Sequence, residues 1–166
     1  MGDRINVVVT TDHTSGIALY SHWGGYRMPK TIAKFLSNTG RLDPDYFTRN
    51  LLCSMIADGV ISNDHTKSGY EVIGTEPNVE AVLLRAFQDE LSYGISLNLA
   101  GDREHSVIVL NPEVQSAWLM KDYDVLTIAE CVQRALATPE ISFKEFSKVT
   151  DWKSLEALVT PVALAI

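Results

Sequence analysis

Cysteine is scarce and long apolar runs are absent in this chain of 166 residues. The two cysteines, Cys53 and Cys131, lie outside any metal-binding spacing and within amphipathic helical patterns that favour buried thiols. This usage predicts a reducing compartment without disulfides. No apolar stretch approaches the ~20 residues of a bilayer-spanning helix, and residues 1–4 lead into a strand pattern without a signal-peptide core. We therefore expect a cytoplasmic protein with no membrane partner.

Several motifs that carry chemistry are also missing. The glycines match neither a P-loop nor a dinucleotide-binding fingerprint, and there is no Gly-x-Ser-x-Gly elbow. The four histidines form no His-x-x-x-His or His-Glu-x-x-His pair, so we assign no metal ligand, no cofactor and no catalytic residue. A net charge of −7 disfavours a protein that coats DNA or anionic lipid. These absences favour a binding protein over an enzyme, and the sequence alone leaves both open.

Length and composition predict one globular domain over residues 1–166. Hydrophobic residues make up 46% of the chain, which is enough for an ordinary core. Strand-forming residues at 5–10 and 17–22 flank a polar turn and predict a first hairpin. Alternating residues at 93–99 and a valine-rich run at 105–110 predict a second one. The order of elements predicts an α+β fold, with a mainly antiparallel sheet from two hairpins and helices packed on it.

Helix-start and helix-stop signals follow the first hairpin. Pro29 and the pair Asp43–Pro44 are typical of first helical turns, and they predict two helices before Gly59. The remaining helices are predicted at 77–89, at 126–136 and after a capping box at 142–145. Further short strands are predicted at 60–61, 70–73 and 114–120.

The segment 20–26, Tyr-Ser-His-Trp-Gly-Gly-Tyr, is the most distinctive stretch of the chain. It places a titratable imidazole, three aromatic rings and two glycines between a predicted strand and a predicted helix. Adjacent glycines let the backbone bend and let another group approach closely, and histidine changes charge near neutral pH. The combination predicts a ligand pocket at the strand end, although a packed corner would use the same residue types. The residues assigned to binding are Tyr20, His22, Trp23, Gly24, Gly25, Tyr26, Arg27, Lys30 and His105.

Positive charge follows these glycines directly. Residues 27–49 hold five basic and two acidic residues, a net charge of +3, so the rest of the chain carries −10. Such a stretch can face an anionic ligand, helped by the amides that open the Pro29 helix. It can equally be a solvated helix face, and both interpretations remain open.

Glu104 and His105 open the second strand of the later hairpin. If the two hairpins are neighbours in one sheet, His105 approaches His22, and two imidazoles with a carboxylate could bind a metal or transfer protons. Nothing in the sequence requires this proximity. The remaining histidines, His13 and His65, lie in polar turns, where we expect them to be exposed.

Three segments carry a family resemblance. They are Gly-Asp-Arg-Ile-Asn-Val-Val-Val at 2–9, Leu-Tyr-Ser-His-Trp-Gly-Gly at 19–25, and Tyr-Gly-Ile-Ser at 93–96 followed by Glu104 and His105. Together they resemble an uncharacterised family found in phages and in bacterial genomes that carry them. The resemblance implies a phage accessory protein that acts in the host-cell cytoplasm. One role that this implies is to counter a host defence. It implies no activity.

These observations lead to one leading hypothesis and three alternatives. The leading hypothesis is a binding protein that sequesters an anionic small molecule, such as a signalling nucleotide. The first alternative is an inhibitor that binds a host protein through an acidic surface, since residues 76–166 carry a net charge of −7. A small hydrolase or transferase that uses His22 and His105, and a structural component of the virion, are the others. The apolar tail 159–166 is expected to pack on its own domain or to form a homo-oligomer.

Overall fold

A computed structural model describes residues 5–13, 16–21, 24–60, 72–75, 106–121 and 128–159. Within these ranges the chain forms a six-stranded sheet with helices on both faces. The strands are β1 (Ile5–Val9), β2 (Ile17–Ser21), β3 (Val72–Thr75), β4 (Ser106–Asn111), β5 (Ser116–Lys121) and β6 (Ile141–Ser142). The helices are a 3₁₀ turn (Gly25–Arg27), α1 (Met28–Asn38), α2 (Pro44–Ala57), α3 (Ile128–Ala135), α4 (Phe143–Phe146) and α5 (Trp152–Val159).

The strand order is β3-β2-β1-β4-β5-β6, and only the central pair, β1 and β4, is parallel. β1 and β2 form the first predicted hairpin, with Ile5 opposite Ser21. β4 forms a hairpin with β5, the strand predicted at 114–120, through the turn that follows Asn111. The strand predicted at 93–99 lies outside the described residues. The α+β class with a mainly antiparallel sheet is confirmed.

Helices cover both faces of the sheet, and the central strand β1 is apolar at every position except Asn6. All five residues of β1 are buried. Its odd-numbered side chains share a core with α1, α2, α4 and α5, in which Phe47 has no exposed surface. On the other face, Ala18 of β2 packs in a second cluster with Val132 of α3. This face of the sheet is therefore core at Ala18.

Local signals place the helix boundaries well. α1 has Pro29 in its first turn, and α2 begins at Pro44, as predicted. Asp43 lies at the N-cap of α2, but its carboxylate accepts hydrogen bonds from Arg41 and makes no cap bond. The predicted helices at 126–136 and 142–145 correspond to α3 and α4, whereas the one at 77–89 lies outside the described residues. Cys53 is exposed, in contrast to the buried thiol expected from its helical pattern.

None of the described helices is both long enough and apolar enough to cross a membrane. The tail at 160–166, on which the oligomer hypothesis depends, lies outside the described residues.

Candidate functional site

The corner that follows β2 is described in part. Its described members are Gly24, Gly25, Tyr26, Arg27 and Lys30. His22, Trp23 and His105 lie outside the described residues, as does the side chain of Tyr20. The predicted approach of His22 to His105 therefore stays a prediction.

Gly24 is closely packed against the backbone that follows α2. Its N–H donates to Ser21 Oγ over 2.9 Å, and that hydroxyl donates to Val60 O over 2.5 Å. A Cβ atom on Gly24 would lie 2.7 Å from Val60 Cβ and 2.6 Å from Ser21 Oγ. Because real Cβ atoms do not approach other atoms so closely, only glycine fits here. Protein atoms fill this side of the corner.

Gly25 serves a second packing contact. It is buried, and Trp152 of α5 donates from Nε1 to Gly25 O over 2.8 Å. The next side chain, Tyr26, is 62% exposed, and the Arg27 guanidinium lies 5.4 Å from its ring centroid. The two glycines therefore join the 3₁₀ turn to α5 and to the end of α2, while the Tyr26 ring faces solvent.

Arg27, assigned to ligand binding from the sequence, closes the carboxyl end of α2. Its two terminal nitrogens donate to Asp58 O over 3.0 Å and to Gly59 O over 2.9 Å. Gly59 has a φ of +72°, as is usual for the residue that ends a helix. A cation at a helix C-terminus satisfies carbonyls that lack a partner in the helix and stabilises the helix dipole. Lys30, in contrast, is exposed on α1.

A concavity with a volume of about 360 Å³ lies between α1 and α2. The buried ring of Phe35 is among the groups that line it. We call it the interhelical groove and define it by Lys34, Asn38, Arg41, Asn50, Ser54 and Asp58. Pockets of about 300–1,000 Å³ with a few placed polar groups are typical of small-molecule sites. The groove therefore has the size of a small-molecule site, and most of the residues that line it are polar or charged.

Each end of the groove holds a cation that is paired with a carboxylate. At one end, Arg41 lies 3.6 Å from the Tyr46 ring centroid, and its guanidinium donates to Asp43 Oδ2 over 3.1 Å. At the other end, Lys34 Nζ lies 3.2 Å from Asp58 Oδ1. The carboxylate of Asp43 is on the loop outside the groove, whereas that of Asp58 lines it. Both cations are therefore paired with a carboxylate, but the acidic partner is a lining residue of the groove only at the Lys34 end.

Uncharged hydrogen-bonding groups line the groove between these ends. Asn38 donates from Nδ2 to Lys34 O over 2.8 Å, which leaves its Oδ1 as an acceptor. Asn50 accepts at Oδ1 from Arg49 over 2.8 Å, which leaves its amide nitrogen as a donor. The Ser54 hydroxyl can do both. These groups can hold the hydroxyls or the amide edges of a polar ligand.

The structure also assigns His13 a place that the sequence did not predict. His13 is half-buried at a φ of +61°, and its ring packs edge-on against Trp118 at 5.6 Å. Its Nε2 lies 2.6 Å from Nδ2 of Asn111, whose Oδ1 accepts from the backbone amides of 113–114. Because that oxygen is occupied, the Asn111 amide nitrogen is the donor, and Nε2 accepts. The contact ties together the turns that follow the parallel strands β1 and β4, and no local pattern signals a pair so distant in sequence.

Within the described residues, no group of three His, Cys, Asp or Glu side chains is arranged to hold a metal ion. Comparisons with protein family models, with curated proteins and with solved structures found no match for this chain. The resemblance to a phage-borne family stays a prediction.

Proposed function

We propose that the protein binds a small anionic molecule in the interhelical groove. The observation that carries the proposal is the position of two cations, Lys34 and Arg41, at opposite ends of one concave surface lined with amides and a hydroxyl. The sequence placed the ligand at the glycine corner. The groove is the better location because Arg27 is held by backbone carbonyls and Gly24 is packed against Val60.

The electrostatics of the chain support an anionic ligand at this location. The protein is acidic overall, yet residues 27–49 carry a net charge of +3, and this stretch supplies both cations of the groove. A local positive field on an acidic protein attracts small anions without favouring extended polyanions such as DNA. If the chain is of phage origin, as the resemblance implies, its physiological role is to capture a host signalling nucleotide. Sequestration by binding requires no catalytic residue.

Ligand-induced stabilisation tests this proposal. We expect at least one compound from a panel of cyclic nucleotides, linear nucleotides and sugar phosphates to raise the melting temperature. At a concentration 100 times the dissociation constant the stabilisation is about 2.7 kcal/mol, or roughly 5–11 °C for a chain of this size. If no compound in the panel changes the melting temperature, the proposed function is wrong.

Charge-removing variants locate the site. We expect K34Q and R41Q to weaken binding of any ligand found in the panel. K30Q is the matched control, because Lys30 is exposed on the same helix as Lys34 but does not line the groove. If K30Q lost binding while K34Q and R41Q bound with wild-type affinity, the ligand site would lie at the glycine corner and not in the groove.

The alternative hypotheses gain less from the structure. Eight of the 14 acidic residues of 76–166, and both His22 and His105, lie outside the described residues. A host-protein inhibitor and a histidine-dependent enzyme therefore remain predictions from sequence, as does a role in the virion.

A further inference from the structure

We infer that the interhelical groove binds its ligand in one orientation, with an anionic group at Arg41 and an uncharged, hydroxyl- or amide-bearing group at the Lys34–Asp58 pair. The ligand class that fits is a monophosphate with a neutral polar body, such as a nucleoside monophosphate. This inference depends on the proposed function and adds the chemical class and the orientation of the ligand.

The Arg41 end is suited to a phosphate. A guanidinium offers two parallel N–H donors that match two phosphate oxygens. The Tyr46 ring lies 3.6 Å from Arg41 Cζ, so a stacking contact helps to fix where the guanidinium lies. The competing carboxylate, Asp43, is 66% exposed, and Arg41 is 54% exposed. Ion pairs this exposed are weak, so a phosphate can replace Asp43 as the partner of Arg41 without loss of a strong contact.

The Lys34–Asp58 end disfavours a second anion. The side chain of Asp58 is 24% exposed, less than half the exposure of the Asp43 side chain, and it lines the groove itself. A phosphate at Lys34 would therefore also meet a carboxylate, and like charges in contact repel. A hydroxyl or an amide can donate to Asp58 and accept from Lys34. This end therefore favours a neutral group with both a donor and an acceptor.

The length of the groove suits a molecule with two chemically different ends. Tyr46, which stacks with Arg41, and Asp58 are 12 residues apart along α2 and its C-cap, which is at most roughly 18 Å along the helix axis. The amide of Asn50 and the hydroxyl of Ser54 lie between them in sequence and line the same groove. A single inorganic phosphate would reach one end only, so affinity should increase with the polar body that the phosphate carries.

The test uses the full chain and calorimetric titration with AMP, GMP, CMP and UMP, each compared with its nucleoside and with inorganic phosphate. We expect at least one monophosphate to bind, and R41Q to weaken it about tenfold or more. R41Q should leave the affinity of the corresponding nucleoside unchanged, because the nucleoside has no group at that end. R41K keeps the positive charge but loses the two parallel N–H donors. We therefore expect its affinity for the monophosphate to lie between that of R41Q and that of the wild type.

The Asp58 end is tested with the 3′,5′-bisphosphate of the same nucleoside. We expect the wild type to prefer the monophosphate, and D58N to reverse or remove that preference because it removes the repelling charge. K144Q, at an exposed lysine of α4 that does not line the groove, should change none of these values. Melting temperatures of the variants, recorded without ligand, show whether each one is folded.

The outcomes separate the inference from the proposed function. If the wild type prefers the bisphosphate, if R41Q weakens the nucleoside as much as the monophosphate, or if D58N leaves the preference unchanged, the orientation is wrong although binding is real. If neither these probes nor the wider nucleotide and sugar-phosphate panel binds at all, the proposed function fails together with the inference.

Discussion

Ser21 holds the end of β2 to the end of α2 with one hydroxyl. It has no exposed surface, its Oγ donates to Val60 O over 2.5 Å, and it accepts from Gly24 N over 2.9 Å. Replacement of Ser21 by alanine leaves one buried acceptor and one buried donor without a partner. Each such group costs about 1–3 kcal/mol, so we expect S21A to lower the free energy of unfolding by about 2–6 kcal/mol.

A loss of this size is easily measured. It is a large part of the total of about 5–15 kcal/mol that is usual for a domain. At about 3 °C for each kcal/mol in a chain of this length, the melting temperature falls by about 6–18 °C. Urea unfolding followed by circular dichroism gives the free energy directly, and an unchanged slope with urea shows that the two variants unfold to similar states.

Ser37→Ala is the matched control. Ser37 is exposed, and its hydroxyl donates to Ala33 O within α1 over 2.8 Å and to Ser147 O over 3.1 Å. Because water replaces these contacts, we expect S37A to lie within about 0.5 kcal/mol of wild type. If S21A were as stable as S37A, the Ser21 hydroxyl would not hold this corner. Close packing would then no longer explain why residue 24 is a glycine.

Three further predictions test the packing and the electrostatics. G24A should lower the free energy of unfolding in urea by about 1–3 kcal/mol, because the new Cβ would lie 2.7 Å from Val60 Cβ and the backbone must move. A G24A variant as stable as the wild type would refute this close approach. N111A should lower the free energy of unfolding by about 2–4 kcal/mol, because Asn111 is fully buried and its amide joins two turns. A decrease under about 0.5 kcal/mol would refute that role. The pKa of the Asp151 carboxylate is lowered, first because the Ser154 backbone N–H donates to it over 2.8 Å. Its contribution to stability is therefore complete above the ordinary pKa of about 4 and is lost as the pH falls through the lowered value. The difference in melting temperature between wild type and D151N should be constant from about pH 5 to pH 8 and shrink from about pH 4 to pH 2, and a difference that does not shrink would contradict the assignment.

Features of the fold that depend on neighbours in sequence could be predicted. The pair Asp43–Pro44 and the apolar spacing after it predict α2, and its core positions Phe47, Leu51 and Met55 are fully buried. The β1–β2 hairpin follows from strand-forming runs around a polar turn in the same way. In both cases a few adjacent residues contain the signal, because helical period and turn chemistry act over short distances.

Features that depend on distant segments could not be predicted. The parallel pairing of β1 with β4 joins Ile5 to Ser106, about a hundred residues away. Nor does the sequence around Gly24 show that Val60 returns to lie against it, so a glycine required by packing resembled a glycine required by a ligand. The same holds for the groove, since nothing local to Lys34 indicates that Asp58 comes within 3.2 Å of it.

The exposed ion pairs of the groove allow function to be separated from stability. Arg41 is paired with Asp43, but both side chains are more than half exposed, and such pairs contribute about 0–1 kcal/mol to stability. The pair with Asp43 therefore adds little to the stability of the fold. In the proposed function this guanidinium, which stacks on Tyr46 and lines the groove, binds the anion. We thus expect R41Q to unfold within about 1 kcal/mol of wild type in urea and to lose anion affinity. A variant that lost stability instead, with anion affinity intact, would make Arg41 a structural residue and remove the groove as a binding site.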